Sequence, residues 1–333
     1  MRILHTSHGG LPDSRIEKTA LTMKEEGHEL LFLGGREATS QAHNAFSGTY
    51  HVPIVSHIRI IYDSRFKNRW LKEIERINPD VVHAHNLIAA AMMLESDYPV
   101  IYDDHEYWSK QDFRFDTRSF VRRVASKPLV RITPKWERRI LESYPVLTVS
   151  ENIAKEHRRI AAHVEVTNNF PLLSEVDGMN DRSTRKGAVY IGSDFNNTRF
   201  SLHRDMTGIR DFVDFDILTG IPHREMMESL TNYRVGLTPW HQHPFHKYCD
   251  PNKNYEYLHG GLQVLLTETL LNQLEGNPYV HTFTSYSEIP DVLDSMPVVS
   301  GQEIMEHARN HYIWEHNRSK IAKIYKYAKS TRS

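Results

Sequence analysis

Apolar and polar positions alternate in blocks along this chain. Short β-compatible runs stand at Arg2 to Thr6, Glu29 to Leu33, Pro79 to His83, Pro99 to Tyr102, Val146 to Val149 and Val164 to Val166. Between them lie stretches with helical spacing: Arg15 to Gly27, carrying Ile16, Ala20, Leu21 and Met23, then Leu71 to Ile77, Leu87 to Leu94, and a helix through His157 that Ser150 can cap. The first strand runs into a loop, Ser7 to Pro12, which holds Gly9 and Gly10. Strand, glycine loop, helix and strand in that order form a βαβ unit, and ligands of open α/β sheets bind at the carboxyl ends of the strands. Gly9-Gly10 is no GxGxxG fingerprint, and a bare glycine pair also suits an ordinary turn.

The alternation then restarts. Leu172 to Lys186 reads LLSEVDGMNDRSTRK, polar and without period, and is expected to be a linker. Beyond it come strands at Val189 to Gly192, within Phe212 to Leu218 and at Val235 to Leu237, with a helix at His223 to Leu230. In Pro251 to Glu268, Asp250 and Asn252 are N-cap residues, Pro251 suits a first helical turn, and Gly260-Gly261 ends the helix before the apolar run from Leu262 to Leu266. Lys253 and Glu256 are three apart and share one helix surface. The lysine and the helix N-terminus suit an anion, and the carboxylate suits hydroxyls, although a solvated Lys/Glu pair has the same spacing. The tail from Glu303 to Tyr327 reads as one long helix. The expected organisation is an N-terminal domain over 1–171, a linker over 172–186, a C-terminal domain over 187–310 and a terminal helix over 311–333. Two such α/β halves predict a ligand cleft between them.

Composition narrows the function classes. A chain of 333 residues exceeds a usual single core, which agrees with two domains. A formal net charge of -1 gives no global basic excess, so nucleic acid is not an expected partner. The single cysteine, Cys249, excludes an internal disulfide framework and fits a reducing, cytoplasmic setting. The opening MRILHTSHGG lacks the apolar region of a signal peptide, and no run approaches the length of a membrane-spanning helix. Arg118 to Arg139 breaks the charge balance, with eight basic residues against the single acid Glu137. Apolar and aromatic residues are interleaved there, and Pro128 and Pro134 are expected to divide it into short helices. Arg118, Arg122, Arg123, Lys127 and Arg131 thus become candidates for contact with an anionic membrane surface at the inner face, the other reading being a solvated face over a core. Two polar clusters are expected to follow strands: His83, His85 and Asn86, then Asp103, Asp104, His105 and Glu106. Neither supplies an HExxH pattern or cysteine pairs, so no metal is expected. GxSxG and P-loop motifs are also missing.

Taken together, MRILHTSHGGLPDSRIEK, PDVVHAHN, IYDDHEYW, VLTVSENIAKEH, VTNNFP, YIGS, PNKNYEYLHGGLQVLLTE and ARNHYIWEHNRSKIAKIY resemble the retaining glycosyltransferases of family 4, in order and spacing across most of the chain. The resemblance implies a GT-B fold: two facing Rossmann-like domains with an interdomain cleft and a C-terminal helix crossing back to the N-domain. It also implies transfer from a nucleotide diphosphate sugar, of UDP or GDP type, to a glycan or lipid-linked acceptor with retention at the anomeric carbon. No cofactor is implied beyond that co-substrate.

The resemblance places Gly9 and Gly10 against the donor diphosphate and transferred sugar, with Gly10 and His105 as the catalytic candidates. Gly192, Ser193, Arg199, Lys253, Tyr255 and Glu256 fall on the donor side, Glu256 matching the second glutamate of the family's E-x7-E motif. Asp13 and Arg15 match a D-S-R element that lines the acceptor side or braces the loop. Asp104 and Glu106 are also placed on the acceptor side. Two departures stand out. Tyr248 occupies the register of the first motif glutamate, and Gln263 replaces the proline usual after the glycine turn. The contrasting possibility is a GT-B-like protein that binds a nucleotide or partner without transfer.

Overall fold

The computed structural model describes residues 1–53, 64–111, 120–182, 184–192 and 204–331, without the side chains of 120–130. The strands are β1 Arg2–Ser7, β2 Glu29–Gly34, β3 Gly48–His51, β4 Val81–His85, β5 Val100–Asp104, β6 Val146–Thr148 and β7 Val164–Val166, then β8 Lys186–Ile191, β9 Phe215–Leu218, β10 Tyr233–Thr238, β11 Gln263–Thr267 and β12 Val280–Phe283. The helices are α1 Ser14–Glu25, α2 Ser64–Ile77, α3 Asn86–Met93, α4 Phe120–Ser143, α5 Glu151–His157, α6 Leu173–Val176, α7 His223–Leu230, α8 Asn252–His259, α9 Ile289–Ser295, α10 Gly301–His311 and α11 Arg318–Ser330.

They form two units. The first comprises Met1–Gln111, Ser126–Asn168 and Asn317–Ser333, and the second is built on Asn169–His316. The first unit holds a seven-stranded sheet in the order β3-β2-β1-β4-β5-β6-β7, and the second a five-stranded sheet in the order β12-β11-β10-β8-β9. Every described pairing is parallel. Parallel sheets are covered on both faces, which is why the central strands read as continuous apolar runs. Ile3 and Leu4 of β1 are wholly buried, and so are Val264, Leu265 and Leu266 of β11.

The tail is two helices. α10 ends at His311, and the Trp314 backbone N–H then donates to the Pro171 carbonyl at 2.7 Å, with the indole 1 % exposed. Anchoring that buried tryptophan interrupts the helical pattern. α11 belongs to the first unit, where it buries Ile321, Ile324 and Tyr325.

Four further expectations differ from the structure. Residues 172–186 are part of the second unit, with Val176 and Met179 in its core, because spaced apolar anchors suffice where periodicity is absent. α4 is one helix through both Pro128 and Pro134. Its later turns bury Glu137, Ile140 and Leu141, and that packing overrides local propensity. β4 and β5 run on to His85 and Asp104, so His83, His85, Asp103 and Asp104 lie within strands and are wholly buried. Asp250 does not cap α8: it accepts from the Asn169 backbone N–H at 2.7 Å and from the Tyr255 hydroxyl.

Candidate functional site

In the second unit, α8 is fixed by its buried face. The Tyr257 hydroxyl accepts from the Ile191 N–H at 3.0 Å and donates to the Leu237 carbonyl at 2.9 Å, joining β8 to β10. Gly236 makes room for that ring, since a Cβ there would stand 2.1 Å from it. Asn254 accepts from the Thr238 hydroxyl at 2.6 Å. With Asn254, Tyr255, Tyr257 and Leu258 turned inward, Lys253 and Glu256 remain at the carboxyl end of β8.

Lys253 Nζ donates to the Ile191 carbonyl at 2.7 Å and lies 4.0 Å from the Tyr190 ring centre and 5.6 Å from that of Trp240. The Arg204 guanidinium lies over the Trp240 ring, 5.3 Å from its centre. Among the described residues no carboxylate lies within ion-pair distance of Nζ. Burial, reinforced by Arg204 and opposed by Glu256, pulls the ammonium down to about 7. Gly192 has φ +152°, and a Cβ on it would come within 3.0 Å of Nζ, so a glycine leaves the ammonium its place. Glu256 accepts from His223 Nε2 of α7 at 3.0 Å. Tyr255 turns away from this end, 1 % exposed and packed edge-to-face on Phe170. Ser193 and Arg199 lie outside the described residues.

In the first unit the strand ends hold a connected buried network. Arg15 donates to Asp103 Oδ1 at 2.7 and 3.1 Å and to the Thr167 carbonyl and hydroxyl, each at 2.8 Å. His105 Nε2 approaches His85 Nδ1 at 3.1 Å, His85 Nε2 approaches His5 Nδ1 at 2.8 Å, and the Tyr325 hydroxyl stands between His5 at 3.2 Å and His83 at 2.6 Å. Burial lowers the pKa values of His5, His83 and His85 and keeps these imidazoles neutral. Burial alone would raise Asp103, but Arg15 and the imidazoles of His105 and His83 hold it well below the usual carboxylate range. The trios His5, His83, His85 and His85, Asp103, His105 each bring donor atoms close enough to share an ion.

The remaining candidates in this unit divide between bracing and surface positions. Asp13 caps α1 by accepting from the Ile16 N–H at 3.1 Å, and Arg15 is 7 % exposed with its guanidinium held on Asp103 and Thr167. Asp104 is buried, accepting from His157 Nε2 at 2.7 Å and from the Tyr107 N–H at 3.1 Å, which leaves it no acceptor-side surface. Glu106 is exposed and accepts from Gln111 Nε2 at 2.7 Å. Gly10 is needed by the fold itself, because a Cβ there would stand 2.6 Å from the Glu37 carbonyl oxygen. Of the basic segment, Arg118 and the side chains of Arg122, Arg123 and Lys127 lie outside the description, and Arg131 is exposed.

Residues 14–170 match Glycosyltransferase Family 4. The resemblance read from the motifs is borne out there. The two parallel-sheet units have the GT-B fold, as similar solved structures show. Sucrose-phosphate synthase from Thermosynechococcus elongatus superposes with a TM-score of 0.67 at 10% identity, covering 99% of this chain and 100% of that one. Anabaena Alr3699/HepE, solved with UDP, gives 0.62 at 10% identity over 97% and 99% of the two chains. WaaG, a glycosyltransferase involved in lipopolysaccharide biosynthesis, gives 0.60 at 14% identity over 99% of each. No curated protein matches the chain in sequence. The family match and the fold support glycosyltransferase function of GT-B type.

Sequence reasoning missed Arg204, Trp240, His223 and Tyr325. Arg204, Trp240 and His223 lie in none of the quoted motifs, and Tyr325 ends the last of them without any local sign of its histidine partners.

Proposed function

We propose that this glycosyltransferase moves a sugar from a UDP or GDP sugar to a glycan or lipid-linked acceptor with retention of configuration. The observation that carries the reading is the Lys253 ammonium, held at the end of β8 beside Gly192 with a carbonyl and two aromatic faces but, among the described residues, no carboxylate. A diphosphate supplies the missing negative charge. As the glycosidic bond breaks, charge gathers on the leaving diphosphate, and a cation already in place stabilises it without reorganisation. Arg204, beside Trp240, adds a second cation. Glu256 exchanges its His223 contact for ribose hydroxyls. UDP in the Anabaena relative supports a nucleotide donor.

On the first unit, Gly9, Gly10 and His105 are assigned to the surroundings of the transferred sugar, His105 being 12 % exposed at its side chain. Asp13, Arg15 and Asp104 support that surface from beneath, and Glu106 faces the acceptor. The basic stretch at Arg118, Arg122, Arg123, Lys127 and Arg131 is assigned to an anionic membrane surface. No helix among the described residues is long and apolar enough to cross a membrane. Charge reversal at Arg122 and Arg123 should reduce sedimentation with anionic liposomes, and unchanged binding would remove this assignment.

A second reading, nucleotide binding without transfer, is favoured by Tyr248, which is 8 % exposed and packed beside Phe245 in the register of the first motif glutamate. A panel of UDP and GDP sugars, read by nucleotide release with and without acceptor glycans, separates the two. Turnover with one donor is expected. Binding without turnover across the panel would establish the second reading, and neither binding nor turnover would overturn both.

A further inference from the structure

The buried network of the first unit contains three donor atoms that converge on one point. Asp103 is wholly buried, and Arg15 occupies only its Oδ1. Its Oδ2 has no hydrogen-bond partner among the described residues. That oxygen stands 3.4 Å from His85 Nδ1 and 3.4 Å from His105 Nε2, and the two nitrogens are 3.1 Å apart. Donor atoms bound to one zinc-like ion at about 2.1 Å in tetrahedral geometry are themselves about 3.4 Å apart. The two 3.4 Å separations match the edges of such a polyhedron, and the 3.1 Å contact between the imidazoles lies close to them.

We propose that His85, Asp103 and His105 bind a divalent transition-metal ion of the zinc class. Two imidazoles and a carboxylate are the donor set of open three-ligand sites, which keep a further position for water or a substrate oxygen. The surrounding contacts are those that orient such ligands. Arg15 fixes the far oxygen of Asp103, and His5 Nδ1 receives the outer nitrogen of His85 at 2.8 Å. His83 Nε2 approaches the same Asp103 oxygen at 3.4 Å, its own outer nitrogen fixed by Tyr325. His105 needs its proton on Nδ1 to ligate through Nε2, so its 3.4 Å contact with Asn86 Nδ2 gives way on binding. All of these residues belong to one unit, and the inference is independent of the donor reading.

The chain has 21 histidines, so binding must be assigned to this trio by difference. Full-length protein is stripped with a chelator and titrated with Zn(II) against a chromophoric competitor, and separately with Co(II) followed by visible absorption. Wild type should take one tight equivalent, with a Co(II) spectrum of tetrahedral or five-coordinate intensity. His105→Ala, at the rim of the network, should lose that equivalent and spectrum, with affinity down on the order of a hundredfold. His85→Gln should do the same, with circular dichroism checking the fold of both. Equal stoichiometry and spectra in wild type and His105→Ala would overturn the proposal, as would a wild type that binds only weakly at scattered surface sites. UDP and GDP affinity, measured in the stripped protein, reports on Lys253 and is read separately.

Discussion

The two units treat buried charge at their strand ends in opposite ways. In the first, Arg15, Asp103 and four histidines contact one another, and each charge has an opposite or a lone pair beside it. In the second, Lys253 stands between a carbonyl and two aromatic rings, while Glu256, three residues on, is turned to His223. A paired network holds structure together. A buried cation without its counter-charge costs stability until a ligand supplies one. The contrast separates residues that brace from residues that await an anion.

Arg15→Ala should cost the most, about 3–5 kcal/mol at pH 7, because it leaves Asp103 buried and unpaired. Chemical denaturation checks this, and a loss under about 1 kcal/mol would show that the network does not depend on its ion pair.

Glu137→Gln comes next. Burial, with Asp104 nearby, lifts Glu137 from 4.5 to about 7. The folded state thus holds a proton that the unfolded state releases, and this contribution to stability falls as pH rises from about 4.5 to 7. The variant should lose that slope, worth about 1–3 kcal/mol. An unchanged pH profile would contradict the assignment.

Gly192→Ala should cost about 1–3 kcal/mol through its positive φ and the crowding of Nζ, with weaker nucleotide binding. Full stability and affinity would mean that the turn is freer than the geometry indicates. Lys253→Met has the smallest expected effect on stability, within about 1 kcal/mol of wild type at pH 7, because losing one carbonyl contact is offset by removing a buried charge. A loss as large as that of Arg15→Ala would erase the contrast.

Much of the fold was legible. Apolar runs marked the strands, and glycines and caps marked helix ends: Ser150 accepts from the Ile153 N–H as expected, and α7 covers His223 to Leu230. What was not legible was mostly polar burial. His85, Asp103 and Asp104 looked like loop residues because polarity signals exposure, yet their partners and those of His83 come from β1, α1, α5 and α11, far away in sequence. Lys253 and Glu256 were legible because their spacing and the glycine turn are local. Arg204 and Trp240 were not, since only the fold brings them to Lys253.

The most direct test is titration of UDP and GDP into wild type and Lys253→Ala near pH 8, by calorimetry in two buffers of different ionisation enthalpy. Burial holds Lys253 at about 7, below its ordinary 10.5, so above pH 7 the free protein has largely lost that proton. A diphosphate beside Nζ favours the charged form and draws the proton back. Wild type should take up close to about one proton and lose affinity as pH rises, and Lys253→Ala should do neither and bind on the order of tenfold more weakly. Equal affinity and equal proton uptake in both proteins would contradict this.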